Sequence, residues 1–228
     1  MSQQEIEVQV LCDFDGTITN KDIGFTIIQE FAGPGWHEIE DAYQRGEKGS
    51  REALLDIFAL TRVSEETLTR FVDEHFHVDP YFPAFLDLCH KQNMAVTVLS
   101  DGFDFYIDLM FRKFNVDVPY LANKLQVVDC SLRADFPHSS GQCGACGNCK
   151  LAFAQGVKNN GKNIIYIGDG YSDKCVSGLA DVVFAKDVLA DYCRQQGMKF
   201  FPFAGFDDIL TICREELFGN LLKQEGRI

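Results

Sequence analysis

The chain has no apolar run approaching the roughly 18 residues that a membrane-spanning helix needs, and it is short of basic residues. Its 21 Lys and Arg stand against 34 Asp and Glu, a formal charge of −13 that repels phosphate backbones and anionic lipid. Nucleic acid and membrane surface are therefore poor partners. Met1-Ser2-Gln3-Gln4-Glu5 lacks the basic and apolar regions of a secretory signal, so the expected location is the cytoplasm. There is no G-x-x-x-x-G-K-[ST] phosphate loop, no internal repeat and no low-complexity linker. Nine cysteines are an odd number, and six of them (Cys12, Cys89, Cys130, Cys175, Cys193, Cys213) are scattered singly, which is not a secreted disulfide framework.

What is present is enough for one sizeable core: a chain of 228 residues buries roughly 70% of its unfolded surface without a staple. Val8–Cys12, Ala95–Leu99 and Ile164–Ile167 are short apolar runs that read as buried strands. Each stops at a polar, glycine-bearing loop: Asp13-Phe14-Asp15-Gly16-Thr17, Ser100-Asp101-Gly102 and Gly168-Asp169-Gly170. Helical patterns lie between and after them. This alternation predicts an α/β fold, a Rossmann-like parallel sheet with helices on both faces, whose ligands sit beyond the carboxyl ends of the strands.

From Ile23 to Tyr81 no strand is evident, while Leu54, Leu55 and Phe58 after Ser50, and Leu68, Phe71, Val72 and Phe76 after Ser64, keep helical period. Two readings fit: a small helical cap over residues 23–81 inserted into a core of 1–22 and 82–228, or helices that simply pack on the sheet. The stretch Asp129–Lys150, rich in Gly, Cys and Ser, predicts a long irregular loop.

Asp13 and Asp15, two apart at a strand end, crowd negative charge that a divalent cation or a shared proton must offset. Asp169 and Asp173, from another strand end, would complete an oxygen-rich shell suited to Mg2+. Singly, each of these is an ordinary turn or cap residue; their recurrence at successive strand ends is what points to a site. An EF-hand reading fails because Thr17 and Ile18 stand where a ligand and a glycine are needed. A dinucleotide fingerprint fails because Asp173 would meet the pyrophosphate.

Together, Asp13-Phe14-Asp15-Gly16-Thr17, Ser100, Lys150 and Gly168-Asp169-Gly170-Tyr171-Ser172-Asp173 resemble, in order, the four motifs of the haloacid dehalogenase superfamily of phosphatases. The resemblance implies that Asp13 is a nucleophile forming an aspartyl-phosphate and Asp15 the general acid/base. Ser100 and Lys150 would hold the phosphoryl group, and Asp13, the carbonyl of Asp15 and Asp169 would ligate Mg2+. Backbone N–H groups of Asp101 and Gly102 are further donors. Lys158 and Lys162 compete with Lys150 for the lysine role. A phosphorylated small molecule is the expected substrate. A regulator that binds such a ligand without turnover, or a phosphotransferase with another acceptor, uses the same residues.

The helical insert is similar to that of the phosphoserine phosphatase branch. There Asp22 would meet a substrate amine, though as a helix-start cap it needs no ligand. Phe25 is read as helix core that could also face the cavity, and Asp104 as a first-turn dipole residue or a substrate contact. Arg51 and Arg62 could reach a substrate carboxylate from the cap, or lie on the surface. Phe136-Pro137-His138-Ser139, the cluster Cys143-x-x-Cys146-x-x-Cys149-Lys150 and Phe184–Leu189 resemble the 2-hydroxy-3-keto-5-methylthiopentenyl-1-phosphate phosphatases of methionine salvage. The cysteine loop also resembles phosphoethanolamine/phosphocholine phosphatases. Phosphoserine and pyridoxal phosphate remain alternative substrates. Cys143, Cys146 and Cys149, with His138 or Cys130, could hold a structural Zn2+, or be reduced thiols in a tight turn.

Overall fold

A computed structural model describes residues 7–140 and 145–217. In chain order the elements are β1 (Val8–Cys12), α1 (Ile23–Phe31), α2 (Trp36–Gln44), α3 (Ser50–Leu60), α4 (Glu65–His75), α5 (Phe82–Lys91), β2 (Ala95–Phe103) and α6 (Asp104–Phe114). There follow β3 (Tyr120–Val128), β4 (Ser131–Asp135), α7 (Lys150–Asn159), β5 (Asn163–Gly168), a 3-10 turn at Tyr171–Asp173, α8 (Lys174–Ser177), β6 (Val182–Ala185), α9 (Asp187–Gln195), β7 (Phe201–Pro202) and α10 (Phe206–Ile212). No helix among the described residues is long and apolar enough to cross a membrane.

The seven strands form one sheet in the order β4-β3-β2-β1-β5-β6-β7, parallel except for β4. The expected α/β fold is therefore present, with an antiparallel edge. The three strands predicted from apolar runs are the central neighbours β2, β1 and β5. Being covered on both faces, they need continuous apolar residues rather than alternation. After β1 the chain moves to β2 on one side and only later to β5 on the other. This reversal opens a crevice at the carboxyl end of β1.

The expected irregular loop from Asp129 is corrected at its start. Ser131–Asp135 pairs with β3 from Val128↔Ser131 to Lys124↔Asp135. The two linking residues, Asp129 and Cys130, have φ of 51° and 58°, the left-handed pair that a two-residue hairpin turn requires.

The helices between β1 and β2 share buried apolar residues with the sheet. Ile23, Ile27, Phe58, Leu68, Val72 and Phe76 belong to the same apolar cluster as Val10, Cys12 and Val98. Ser64 caps α4 by accepting from Thr67 N–H. Entry to and exit from this region are pinned together by a bridge between Thr19 and Val78 and by Asn20 N–H donating to the His77 carbonyl.

Candidate active site

Asp13 follows β1 directly and is buried, its backbone N–H donating to Ile167 O at 2.9 Å. Oδ1 accepts from Phe14 N–H at 2.8 Å and lies 2.7 Å from Lys150 Nζ. Burial pushes the Asp13 carboxyl well above the usual range and the Asp173 charge adds to this, while Lys150 opposes both.

Lys150 opens α7 and is also buried. Nζ contacts Asp173 Oδ1 at 2.7 Å and Ser172 Oγ at 3.0 Å. Burial alone would neutralise the amine, but Asp13 and Asp173 outweigh it and hold the ammonium charged. Lys158 and Lys162 are paired elsewhere, with Asp181 and Glu7, so of the three lysines Lys150 is the one at the strand ends.

Asp173 is wholly enclosed. Oδ2 accepts from the N–H groups of Asp169 and Gly170 at 2.9 and 2.8 Å, and Oδ1 from Tyr166 and Lys150. Burial works to raise Asp173, but Lys150 and these donors hold it below the ordinary value. Asp169, whose Oδ1 accepts from Thr17 Oγ1 at 2.5 Å, is raised to about 7 by burial and by the Asp173 charge. One carboxylate oxygen from each of Asp13, Asp169 and Asp173 lies within 4.8 Å of the others. These are hard oxygen donors, and they fit Mg2+.

Asp15 turns away from that cluster. Oδ1 accepts from Ile23 N–H at 3.0 Å; Oδ2 accepts from Tyr106 Oη at 3.0 Å and Ser100 Oγ at 3.3 Å. Burial, then the neighbouring Asp22 charge, raises it to about 7. Its side chain is thus absent from the carboxylate group suited to a metal. Gly102 N–H donates to Ser100 Oγ at 2.9 Å, orienting the hydroxyl instead of facing the cavity as a bare donor.

A cavity of about 300 Å³ opens above these residues. Asp22 and Phe25 line it, as do Asp101 and Gly102. Asp22 Oδ1 also caps α1 by accepting from Phe25 N–H at 2.7 Å. Asp104 is not brought to the cavity. Its carboxylate accepts from Leu125 N–H at 3.0 Å and pairs with Lys124 at 3.0 Å, fastening α6 to β3.

The zinc expectation is not supported. Among the described residues the metal-suited group is Asp13, Asp169 and Asp173 alone; Cys146, Cys149 and the exposed His138 form none, and Cys143 lies outside the described residues. The loop before Lys150 is held by amides instead. Asn148 Nδ2 donates to Ser100 O and Leu121 O at 2.9 and 2.8 Å, Asn148 N–H to Asp101 Oδ1 at 2.7 Å, and Gly147 N–H to Ser50 Oγ at 3.1 Å. Nothing in the local sequence marks Asn148 or Tyr106, because their partners lie far away along the chain. Tyr43 and Glu40, which also line the cavity, carry no signal beyond helical spacing.

Comparison with known proteins agrees with this geometry. The family model for haloacid dehalogenase-like hydrolase matches residues 10–176. The 2-hydroxy-3-keto-5-methylthiopentenyl-1-phosphate phosphatase of Bacillus velezensis is 28% identical over 205 residues, 89% of this chain and 88% of the relative. That of Bacillus cereus (strain ATCC 10987 / NRS 248) is 29% identical over 208 residues, covering 90% and 94%. A structure of phosphoserine phosphatase as a phospho-aspartyl intermediate analogue superposes with a TM-score of 0.67 at 19% identity, over 92% of this chain and 99% of that one. This last likeness is one of fold.

Proposed function

The chain belongs to the haloacid dehalogenase-like hydrolases and is a phosphoric monoester hydrolase; from that premise we propose that it works through an aspartyl-phosphate on Asp13, with Mg2+ as cofactor. The observation that carries this reading is Lys150 Nζ at 2.7 Å from Asp13, inside a convergence of three carboxylates.

Asp13 and Asp169 would hold the cation, which when bound neutralises charge on the transferring phosphoryl oxygens. Asp173, engaged by four donors, sets the position of Lys150 and of the Asp169 backbone. Lys150 and Phe14 N–H fix the rotation of the Asp13 carboxylate. A carboxylate oxygen of Asp13 attacks phosphorus as the ester P–O bond breaks, and Asp15 gives its proton to the departing oxygen. A water then attacks phosphorus and passes its proton to Asp15, releasing phosphate and restoring Asp13. A pKa of about 7 suits Asp15 to both transfers near neutral pH. Ser100 Oγ and Lys150 contact the phosphoryl oxygens, contributing positioning and charge.

The substrate is a small phosphorylated metabolite, and 2-hydroxy-3-keto-5-methylthiopentenyl-1-phosphate is the one we favour. Two relatives named for that activity align along some nine-tenths of this chain. The core 1–22 and 82–228 with a cap at 23–81 is the division we propose, the cap roofing the cavity through Phe25, Tyr43 and Leu54. The test is phosphate release from a panel comprising this enol phosphate, phosphoserine, phosphoethanolamine, pyridoxal phosphate and an aryl phosphate, with Mg2+ and with chelator. Mg2+-dependent release, with the enol phosphate first in kcat/KM, is expected. Release that ignores chelator would remove the cofactor assignment, and another ester in first place the substrate assignment.

A further inference from the structure

We infer that the cavity discriminates against phosphomonoesters whose leaving group bears a carboxylate, in favour of those carrying an uncharged apolar chain of the same length; this rests on the phosphatase reading above. Among the described residues that line the cavity there is no Lys, Arg or His. Its roof is apolar where α1 and α3 face it, through Phe25, Ile28, Ala53, Leu54 and Ile57. Its remaining wall carries the carboxylates of Asp22, Glu40, Asp101 and Asp187 beside neutral donors such as Gln44 and Ser50.

None of the cations near the cavity is among its described lining residues. Lys150 is spent on Asp13 and Asp173, a position that serves the phosphoryl group. Lys174 Nζ stands over the rings of Tyr171 and Tyr192, and Lys186 Nζ over Phe203. The two cap arginines that could have met a substrate carboxylate do not reach it. The Arg51 guanidinium lies over the Phe136 ring at 5.6 Å, and Arg62 donates to the carbonyls of Ala59 and Thr61. A carboxylate entering this space would lose its hydration, meet like charges, and find no Lys, Arg or His among the described lining residues. An alkyl or thioether chain would gain by leaving water against the α1 and α3 side chains. Phosphoserine, whose leaving group carries a carboxylate, falls on the rejected side.

The experiment uses the full chain with Mg2+ and two esters of equal length, 3-(methylthio)propyl phosphate and its carboxylated counterpart 4-(phosphonooxy)butanoate. The expected kcat/KM favours the thioether by about tenfold or more. Glu40→Gln and Glu40→Lys should shrink that ratio in turn, chiefly through KM of the carboxylated ester. Equal use of the two esters, or a ratio unmoved in both variants, overturns the proposal. If neither ester releases phosphate, release from the aryl phosphate of the panel above decides the hydrolytic reading separately. Calorimetric binding of the same pair then decides the selectivity, tighter binding of the carboxylated ester overturning it.

Discussion

The ammonium of Lys150 sits 2.7 Å from a carboxylate oxygen of Asp173, and the structure buries both side chains. Desolvation of two charges is repaid here by mutual attraction together with the Tyr166 hydroxyl and two backbone N–H groups. Lys150→Met leaves Asp13 and Asp173 as buried like charges. Urea unfolding should show a loss of about 3–5 kcal/mol, with hydrolysis falling by a hundredfold or so or more. A variant as stable as the parent would contradict this account of the pair.

Asp13→Asn should lose nearly all turnover yet remain folded. The Asp13 carboxyl is held well above its ordinary value by burial and by Asp173, so near neutral pH its ionised form works against the fold. Its neutral isostere removes that penalty while Lys150 keeps Asp173. The unfolding midpoint in urea should therefore not fall by more than about 1 kcal/mol equivalent. Near-normal phosphate release from this variant would remove the covalent route.

The pH dependence of turnover should carry the mark of Asp22 on Asp15. Asp15 donates its proton to the leaving oxygen, so with a pKa of about 7 the donor is lost as pH rises through that value. Burial is the larger cause of the elevation and the Asp22 charge the next. Asp22→Asn therefore lowers the Asp15 pKa without returning it to the ordinary carboxylate range. A pH–kcat profile should show the alkaline fall moved to lower pH; an unmoved or raised limb would refute the assignment.

Gly102→Ala tests the closeness of β2 to the acid/base. A Cβ there would lie 1.9 Å from Tyr106 Oη and 2.3 Å from Asp15 Oδ2, so both partners must shift. A stability loss of about 1–3 kcal/mol is expected. kcat should fall more than KM rises, because the hydrogen bond that positions Asp15 is the one displaced.

Chelation followed by metal addition addresses the carboxylate cluster. Activity should vanish with excess EDTA and return with Mg2+. Asp169→Asn should need about ten times or more the Mg2+ for half-maximal rate, read by titrating rate against metal.

The central strands were legible because each is an apolar run stopped by Asp, Ser or Gly, a pattern that two-sided burial imposes. The β3–β4 hairpin was not. Lys124, Gln126 and Arg133 interrupt its apolar positions, and its turn is Asp129-Cys130 without the glycine that usually marks positive φ. Leu55 kept helical company with Leu54 and Phe58 yet is 44% exposed, since α3 presents only one side to the core.

By itself the sequence determined the order of the chemistry. Four carboxylates, a serine and a lysine stand at the ends of apolar segments, and local physics makes those segments strands and helices whichever way they later pack. Tertiary structure decided which of these groups meet. It brought β2, β1 and β5 side by side, joined Lys150 to Asp13 and Asp173, turned Asp15 toward Tyr106, and sent Asp104, Arg51 and Arg62 elsewhere. Such contacts join residues far apart along the chain, Thr17 and Asp169 being separated by 152 positions. Their partners are selected by packing and desolvation in three dimensions, which leave no mark on spacing along the chain.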